Sequence, residues 1–422
     1  MSSYSKNLQY YLKELTAYTR RNHKLLGNIS QTQSLPPQSK IIVRMPENSL
    51  IDWDTFTFWY EFTAPNYNVA SKNSESIIGN CQVEINGKFV DVSAPRSYNL
   101  VQRRLIDLNG GDKLVQRAKL QNSLVDLSKT ATSSADVNRV ACVNSFLGYV
   151  GTSQPRIQDT SILGSVNVHI TLAGDEILAQ GSSGTGGDYS ISNVYFTMDT
   201  VNIDDDNYYK VLSQKMQEAG KIVIPFQTLS SFSSGVVSSL TQTTQGVIAT
   251  ESLDMLLGFY QSSGSLGRTP NYQTGASSYF TTGSANITGD RFWLNGKPLL
   301  DYLFSPAETY NRTLNAFGHN QDAVGSPDVY GSFSNNNIGL WTGTNAVISM
   351  QDWQDNQFFS VLRLNHPSSP DDRLKSGVNL IGTNSVIGWE TQGSEANITP
   401  TLVALVTKEL EVFPFKQLNV VE

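Results

Sequence analysis

NYYKVLSQKMQEAGKIVIPF, residues 207–226, decides the reading of this chain. Residues 207–219 read as a short helix, and Gly220 ends it, since glycine adopts the left-handed turn that follows a helix. KIVIPF then opens a new series of strands. A helix, a stop and a fresh strand series in the middle of 422 residues mark a boundary between two units. The junction divides the chain into an arm and linker (1–39), a first unit (40–206), a connecting helix (207–220) and a second unit (221–422).

Upstream of the junction, KIIVRM (40–45), DTFTFWYEF (54–62), CQVEIN (81–86) and KFVDV (88–92) read as short strands. In DTFTFWYEF the period is two: Phe56, Phe58, Tyr60 and Phe62 point one way, and Thr55, Thr57, Trp59 and Glu61 the other. Asn86-Gly87 signals a type I′ hairpin, in which both central residues need positive φ. Residues 98–128 read as helical. SVNVHITLA (165–173) and SNVYFTMDTVNID (192–204) return to strand, with the flexible loop GSSGTGGD (181–188) between them. That loop lacks the spacing and the lysine of a phosphate-binding loop.

Downstream, ESLDMLLGFYQ (251–261) fits a strand or a short helix, and RFWLNGKPLLDYLF (291–304) holds a second Asn-Gly turn. Residues 261–291 and 305–346 read as long polar loops, placed at an outer end where backbone groups meet water. FFSVLRL, GVNLIG, SVIGWET, TLVALVTKELEVFPF and QLNVVE close the chain as strands. The expected fold class is all-β: two consecutive eight-stranded sandwiches or jelly rolls.

The N-terminal arm reads differently. Leu8, Tyr11, Leu12, Leu15 and Tyr18 recur at spacings of three and four, which predicts an amphipathic helix over 5–26. Lys6, Lys13, Arg20, Arg21 and Lys24 against Glu14 give residues 1–30 a net +4. That leaves −11 on the rest of a chain whose total is −7. An acidic body excludes nucleic-acid binding by diffuse charge. Charged residues are 16% of the chain, too few for a coiled coil, while 18 Phe, 18 Tyr and 6 Trp are too many for a disordered one. The N-terminus lacks the apolar core of a signal peptide, and two distant cysteines, Cys81 and Cys142, read as core thiols of a protein made in a reducing compartment and not secreted.

No catalytic constellation stands out. His23, His169, His319 and His366 show no metal-ligand spacing. His169 reads as a partly exposed strand residue. Asp204, Asp205 and Asp206 read as a solvated turn before the connecting helix, where acids are favourable; loop carboxylates binding Ca²⁺ are the weaker alternative. Trp293, Trp341 and Trp353 suit either a core or sugar stacking. No cofactor or metal is expected.

In order and spacing, the basic N-terminal segment, KIIVRMPENSLIDWDTFTFWYEF, ILGSVNVHITLA (162–173) and the helix-Gly-KIVIPF junction resemble the double jelly-roll major capsid proteins of tailless icosahedral DNA viruses. That lineage runs from membrane-containing phages and virophages to adenovirus hexons. The resemblance spans nearly the whole chain without a strict signature motif. It implies two tandem jelly rolls, a homotrimer forming a pseudo-hexagonal capsomer, and a virion location. The implied partners are neighbouring capsomers, penton and minor capsid proteins, and an inner membrane or the genome beneath the basic arm. The competing class is a carbohydrate-binding or carbohydrate-active β-protein, which has little use for a basic arm.

Overall fold

The computed structural model describes residues 18–64, 68–69, 74–91, 98–109, 137–180, 188–203, 206–262, 270–271, 276–284, 286–317, 350–365, 377–382 and 385–421. Before the helix Asp206–Ala219 run β1 (Tyr18–Leu25), β2 (Lys40–Arg44), β3 (Leu50–Ala64), β4 (Asn68–Val69), β5 (Ile78–Ile85), β6 (Lys88–Phe89), β7 (Val137–Val143), β8 (Ile157–Asp159), β9 (Val166–Leu172), β10 (Ala179–Gln180) and β11 (Ser190–Ile203). After it run β12 (Ile222–Ser233), β13 (Gln242–Ile248), β14 (Leu253–Ser262), β15 (Pro270–Asn271), β16 (Ala276–Ser277), β17 (Ile287–Leu294), β18 (Lys297–Pro298), β19 (Ser360–Arg363), β20 (Ser385–Gly393), β21 (Ile398–Phe413) and β22 (Gln417–Val421).

The four large sheets do not mix the two halves. The first half forms β1-β11-β3-β7, with β8 added to β3, and β2-β9-β5-β6. The second forms β12-β21-β14-β19, with β22 added to β21, and β13-β20-β17-β18. Two short ladders, β4-β10 and β15-β16, lie apart from these. Leaving out those additions and the short ladders, the described residues of each half form eight principal strands. Counted along the chain, their spatial order is 1-8-3-6 in one sheet and 2-7-4-5 in the other, identically in both halves. Antiparallel sheets connected this way are jelly rolls. The expected all-β architecture of two such rolls is therefore the observed one.

Sequence dictates the pleat. Along β3, Phe56, Phe58, Tyr60 and Phe62 are buried, while Thr55, Thr57, Trp59 and Glu61 are only partly covered. Both fourth-to-fifth strand hairpins turn on Asn-Gly: φ is 49° and 78° at Asn86-Gly87, and 51° and 75° at Asn295-Gly296. Those angles make a type I′ turn the natural link.

Three expectations need correction. The helix over 5–26 is contradicted where it can be seen: Tyr18–Leu25 is strand β1, paired along its whole length with β11 from Tyr18↔Ile203 to Leu25↔Phe196. The apolar stripe that argued for a helix ends at Tyr18, so beyond it nothing held the helical period. Residues 5–17 lie outside the described residues. Within the expected loop 305–346, Pro306–Ala316 is a helix, capped by a Ser305–Glu308 box with proline in its first turn. His169 is buried, because β9 is flanked by β2 and β5 and Phe89 lies over the imidazole at 5.1 Å. ESLDMLLGFYQ resolves to strand, as β14; GVNLIG contributes only the bridge Val378–Leu253. The expected helix beyond Asn109, the loop 181–187, Asp204, Asp205 and positions 318–346 lie outside the described residues.

Two apolar clusters form the core of the described residues. One lies within the second roll and includes Leu256, Tyr260, Phe292, Trp353, Ile387, Trp389 and Leu402. The other fills the first roll and continues without a break into Ile224, Phe226, Phe259, Phe280, Val403 and Leu410 of the second. The rolls thus share a core.

Candidate assembly surface

Strand β1 brings part of the basic arm onto the edge of the first sheet. Alternation sends Arg20, Asn22 and Lys24 to one face. There Arg20 Nη1 reaches Asp52 Oδ2 at 2.8 Å and Asp199 Oδ2 at 3.7 Å, and Asn22 Nδ2 donates to Asp199 Oδ1 at 2.8 Å. The Lys24 ammonium sits 4.2 Å above the Tyr195 ring, which stacks on Trp59 at 6.0 Å. Trp59 Nε1 donates to Thr197 Oγ1 at 3.0 Å. A cation on a stacked aromatic pair ties β1, β11 and β3 together on this face. On the other face His23 Nε2 meets Thr200 Oγ1 at 2.8 Å. Arg21 is exposed and forms no ion pair with the described residues. Of the five basic residues singled out in sequence, the structure groups Arg20 and Lys24 in one polar cluster and leaves Arg21 in solvent. Lys6 and Lys13 lie outside the described residues.

Sequence reasoning missed the joint between the rolls. Arg104 Nη2 donates to Phe280 O at 2.5 Å, and the Arg103 guanidinium lies 4.8 Å from the Phe280 ring. Tyr279 donates to Asn99 Oδ1 at 3.0 Å. Gln154 N donates to Pro225 O at 2.9 Å, and Gln227 N to Thr152 Oγ1 at 2.8 Å. Tyr149 packs edge-on against Phe226 at 5.2 Å. Lys88 Nζ reaches Leu418 O at 2.9 Å, and Asn86 Nδ2 reaches Lys416 O at 3.1 Å. Thr228 Oγ1 donates to the buried Asp91 carboxylate. These residues are far apart in sequence, and no local pattern announces them.

The side chains considered for chemistry take structural places. His169 Nε2 bonds Glu84 Oε2 at 2.7 Å. Cys81 and Cys142 are buried free thiols, and burial pushes both thiols up. Trp353 is buried against Phe358 and Tyr310, where no sugar can stack. Trp293 donates to Glu390 Oε2 at 2.6 Å and carries the Arg291 guanidinium at 4.6 Å. Trp341, His319 and His366 lie outside the described residues. Asp206 begins the connecting helix. Among the described residues no group of three His, Cys, Asp or Glu could hold a metal ion. No helix there is long and apolar enough to cross a membrane.

No family model and no curated protein sequence matches the chain. Solved structures do match its fold. The Faustovirus major capsid protein superposes with a TM-score of 0.63 at 9% identity, over 97% of this chain and 93% of that one. VP54 of PBCV-1 gives 0.59 at 12% identity, over 99% and 100%. The mavirus major capsid protein gives 0.51 at 11% identity, over 99% and 93%. At such identities the likeness establishes the fold: this chain has the double jelly-roll architecture of those capsid proteins.

Proposed function

We propose that this chain is the major capsid protein of an icosahedral virus, a structural subunit that trimerises into pseudo-hexagonal capsomers. One observation carries the reading: the same eight-strand order occurs twice in one chain, in two rolls that share a core. Three such chains around an axis present six similar lobes, and a cyclic trimer closes by symmetry. Subunit contacts would also cover sheet edges such as β7 and β13, where Val140 and Val247 stand more than half exposed. Two of the three tryptophans weighed for carbohydrate stacking favour the structural role: Trp353 is inside, and Trp293 is engaged by Glu390 and Arg291.

The virion is its place in this reading, and its partners are itself, neighbouring capsomers, penton and minor capsid proteins. Lys6 and Lys13 precede β1, and the exposed Arg21 lies on it. We assign these three to the inner surface, facing a membrane, the genome or a neighbouring capsomer. Light scattering after size exclusion tests the core of the proposal. The expected mass is three times 46.4 kDa, with six-lobed particles in negative-stain end views. A stable monomer at high concentration overturns it.

A further inference from the structure

Asp91 is a carboxylate sealed between the two rolls; it follows β6 and is only 4% exposed. Thr228 Oγ1, from β12 of the second roll, donates to Oδ1. The main-chain N–H of Tyr149 donates to the same carboxyl. On the Oδ2 side the wall is the bare backbone of Gly148, where a Cβ would stand 2.0 Å from the oxygen. Titratable groups face Asp91 from each side: Lys408 on β21, the Cys81 thiol on β5, and the Tyr98 phenol on the helix Tyr98–Asn109. The site is therefore a carboxylate at an apolar joint, held by two neutral donors and one lysine, of which Thr228 and Lys408 belong to the other roll.

We propose that Asp91 makes the joint proton-responsive: uptake of one proton by its carboxyl secures the second roll against the first, and release of that proton loosens it. Burial raises the carboxyl to about 6, while the Thr228 hydroxyl, Lys408 and the Tyr149 amide pull it back down. In the unfolded chain the same group ionises near its ordinary 3.8. The folded state thus binds the proton more tightly than the unfolded one. The extra stability is complete below about pH 4 and is lost as pH rises through about 6.

The test is thermal melting of the full chain and of Asp91→Asn across pH 4.5–8. Asparagine keeps the shape and removes the charge. Asp91→Asn is expected to melt higher than wild type at pH 8, with the difference shrinking steadily as pH falls and smallest at pH 4.5. A difference of the same size at both ends of the range overturns the proposal. Should the variant not fold, hydrogen exchange of β12 amides in wild type decides, after correction for intrinsic rates. Opening at pH 7 is expected to be about tenfold more frequent than at pH 5, the ratio that a group titrating near 6 imposes. Equal protection at the two pH values overturns the proposal as surely. Thr228→Val, which removes the hydroxyl donor, is expected to move the midpoint of the wild-type decline upward. Neither measurement depends on trimer formation.

Discussion

Asp290 is fully buried on β17 and is met from four directions. Arg312 Nη2 lies at 2.9 Å, Trp389 Nε1 at 3.0 Å and Ser360 Oγ at 2.5 Å, and the Thr309 hydroxyl completes the set. A buried ion pair contributes little net stability while whole, but removing one partner strands the other charge. Asp290→Ala is therefore expected to cost about 3–5 kcal/mol in urea unfolding. Asp290→Asn, which keeps acceptor capacity, is expected to cost less. Gly148 supplies a second contrast. Its φ of 75° and ψ of −154° belong to a region that only glycine occupies readily, and an added Cβ would strike Asp91. Gly235, at φ 77°, has open space around its Cβ position. Gly148→Ala should lose about 3 kcal/mol, the upper range for backbone strain. Gly235→Ala should lose about 1 kcal/mol, for conformation alone. Equal losses in parallel urea titrations would show that the steric wall against Asp91 is not felt.

β1 teaches most at the scale of elements. It occupies in the first roll the position that β12 occupies in the second, as first principal strand and sheet edge. KIIVRM, whose opening resembles that of KIVIPF, is instead the second strand. β3 was legible because both of its faces have a consistent environment, and its apolar residues alternate accordingly. β1 was not, because TRRNHKL offers a single apolar residue, Leu25. Its stability comes from the β11 ladder and from Arg20, Asn22 and Lys24 meeting Asp199, Asp52 and Tyr195, partners more than 25 residues away. The helix Pro306–Ala316 was within reach of the sequence, since Ser305 and Glu308 carry the capping-box spacing; the polar composition around it masked the signal. Two truncations separate strand from preceding segment. Deleting residues 1–17 should leave Tm within about 2 °C of wild type. Deleting 1–27 removes β1, bares the β11 edge and leaves Asp52 and Asp199 without Arg20. A loss of about 3 kcal/mol corresponds to roughly 6–12 °C in Tm for a unit of this size. If the longer deletion melts like the shorter, β1 does not hold the first roll together. If the shorter fails to assemble while melting normally, the segment before β1 belongs to the inner surface.

At the scale of the whole molecule, the two rolls are separate in their hydrogen-bonded sheets and joined in their core. Ile224, Phe226 and Leu229 of β12, with Leu257, Phe259, Phe280, Val403 and Leu410, belong to the apolar cluster that fills the first roll. Cutting the chain within the connecting helix would bare these residues on one fragment and Tyr149 with its neighbours on the other. Burying one large apolar side chain contributes about 1.5–3 kcal/mol. The second roll offers these eight and also Tyr279, Phe359, Val361, Val412 and Leu418 to the shared cluster, so losing even part of their burial rivals the net of roughly 5–15 kcal/mol that holds a typical domain folded. The polar links across the joint point the same way, because separation removes Phe280 O from Arg104 and Thr228 from Asp91. Residues 1–220 and 221–422, expressed singly, should therefore be insoluble or molten. Expressed together from separate reading frames, they should co-purify as one complex that melts in a single transition. Near- and far-ultraviolet circular dichroism of each fragment and of the pair is the measurement. A fragment that is soluble alone and unfolds cooperatively would mean that the shared core is a docking contact between finished domains. Proton release at Asp91 would then move one finished roll against another, not open a single core.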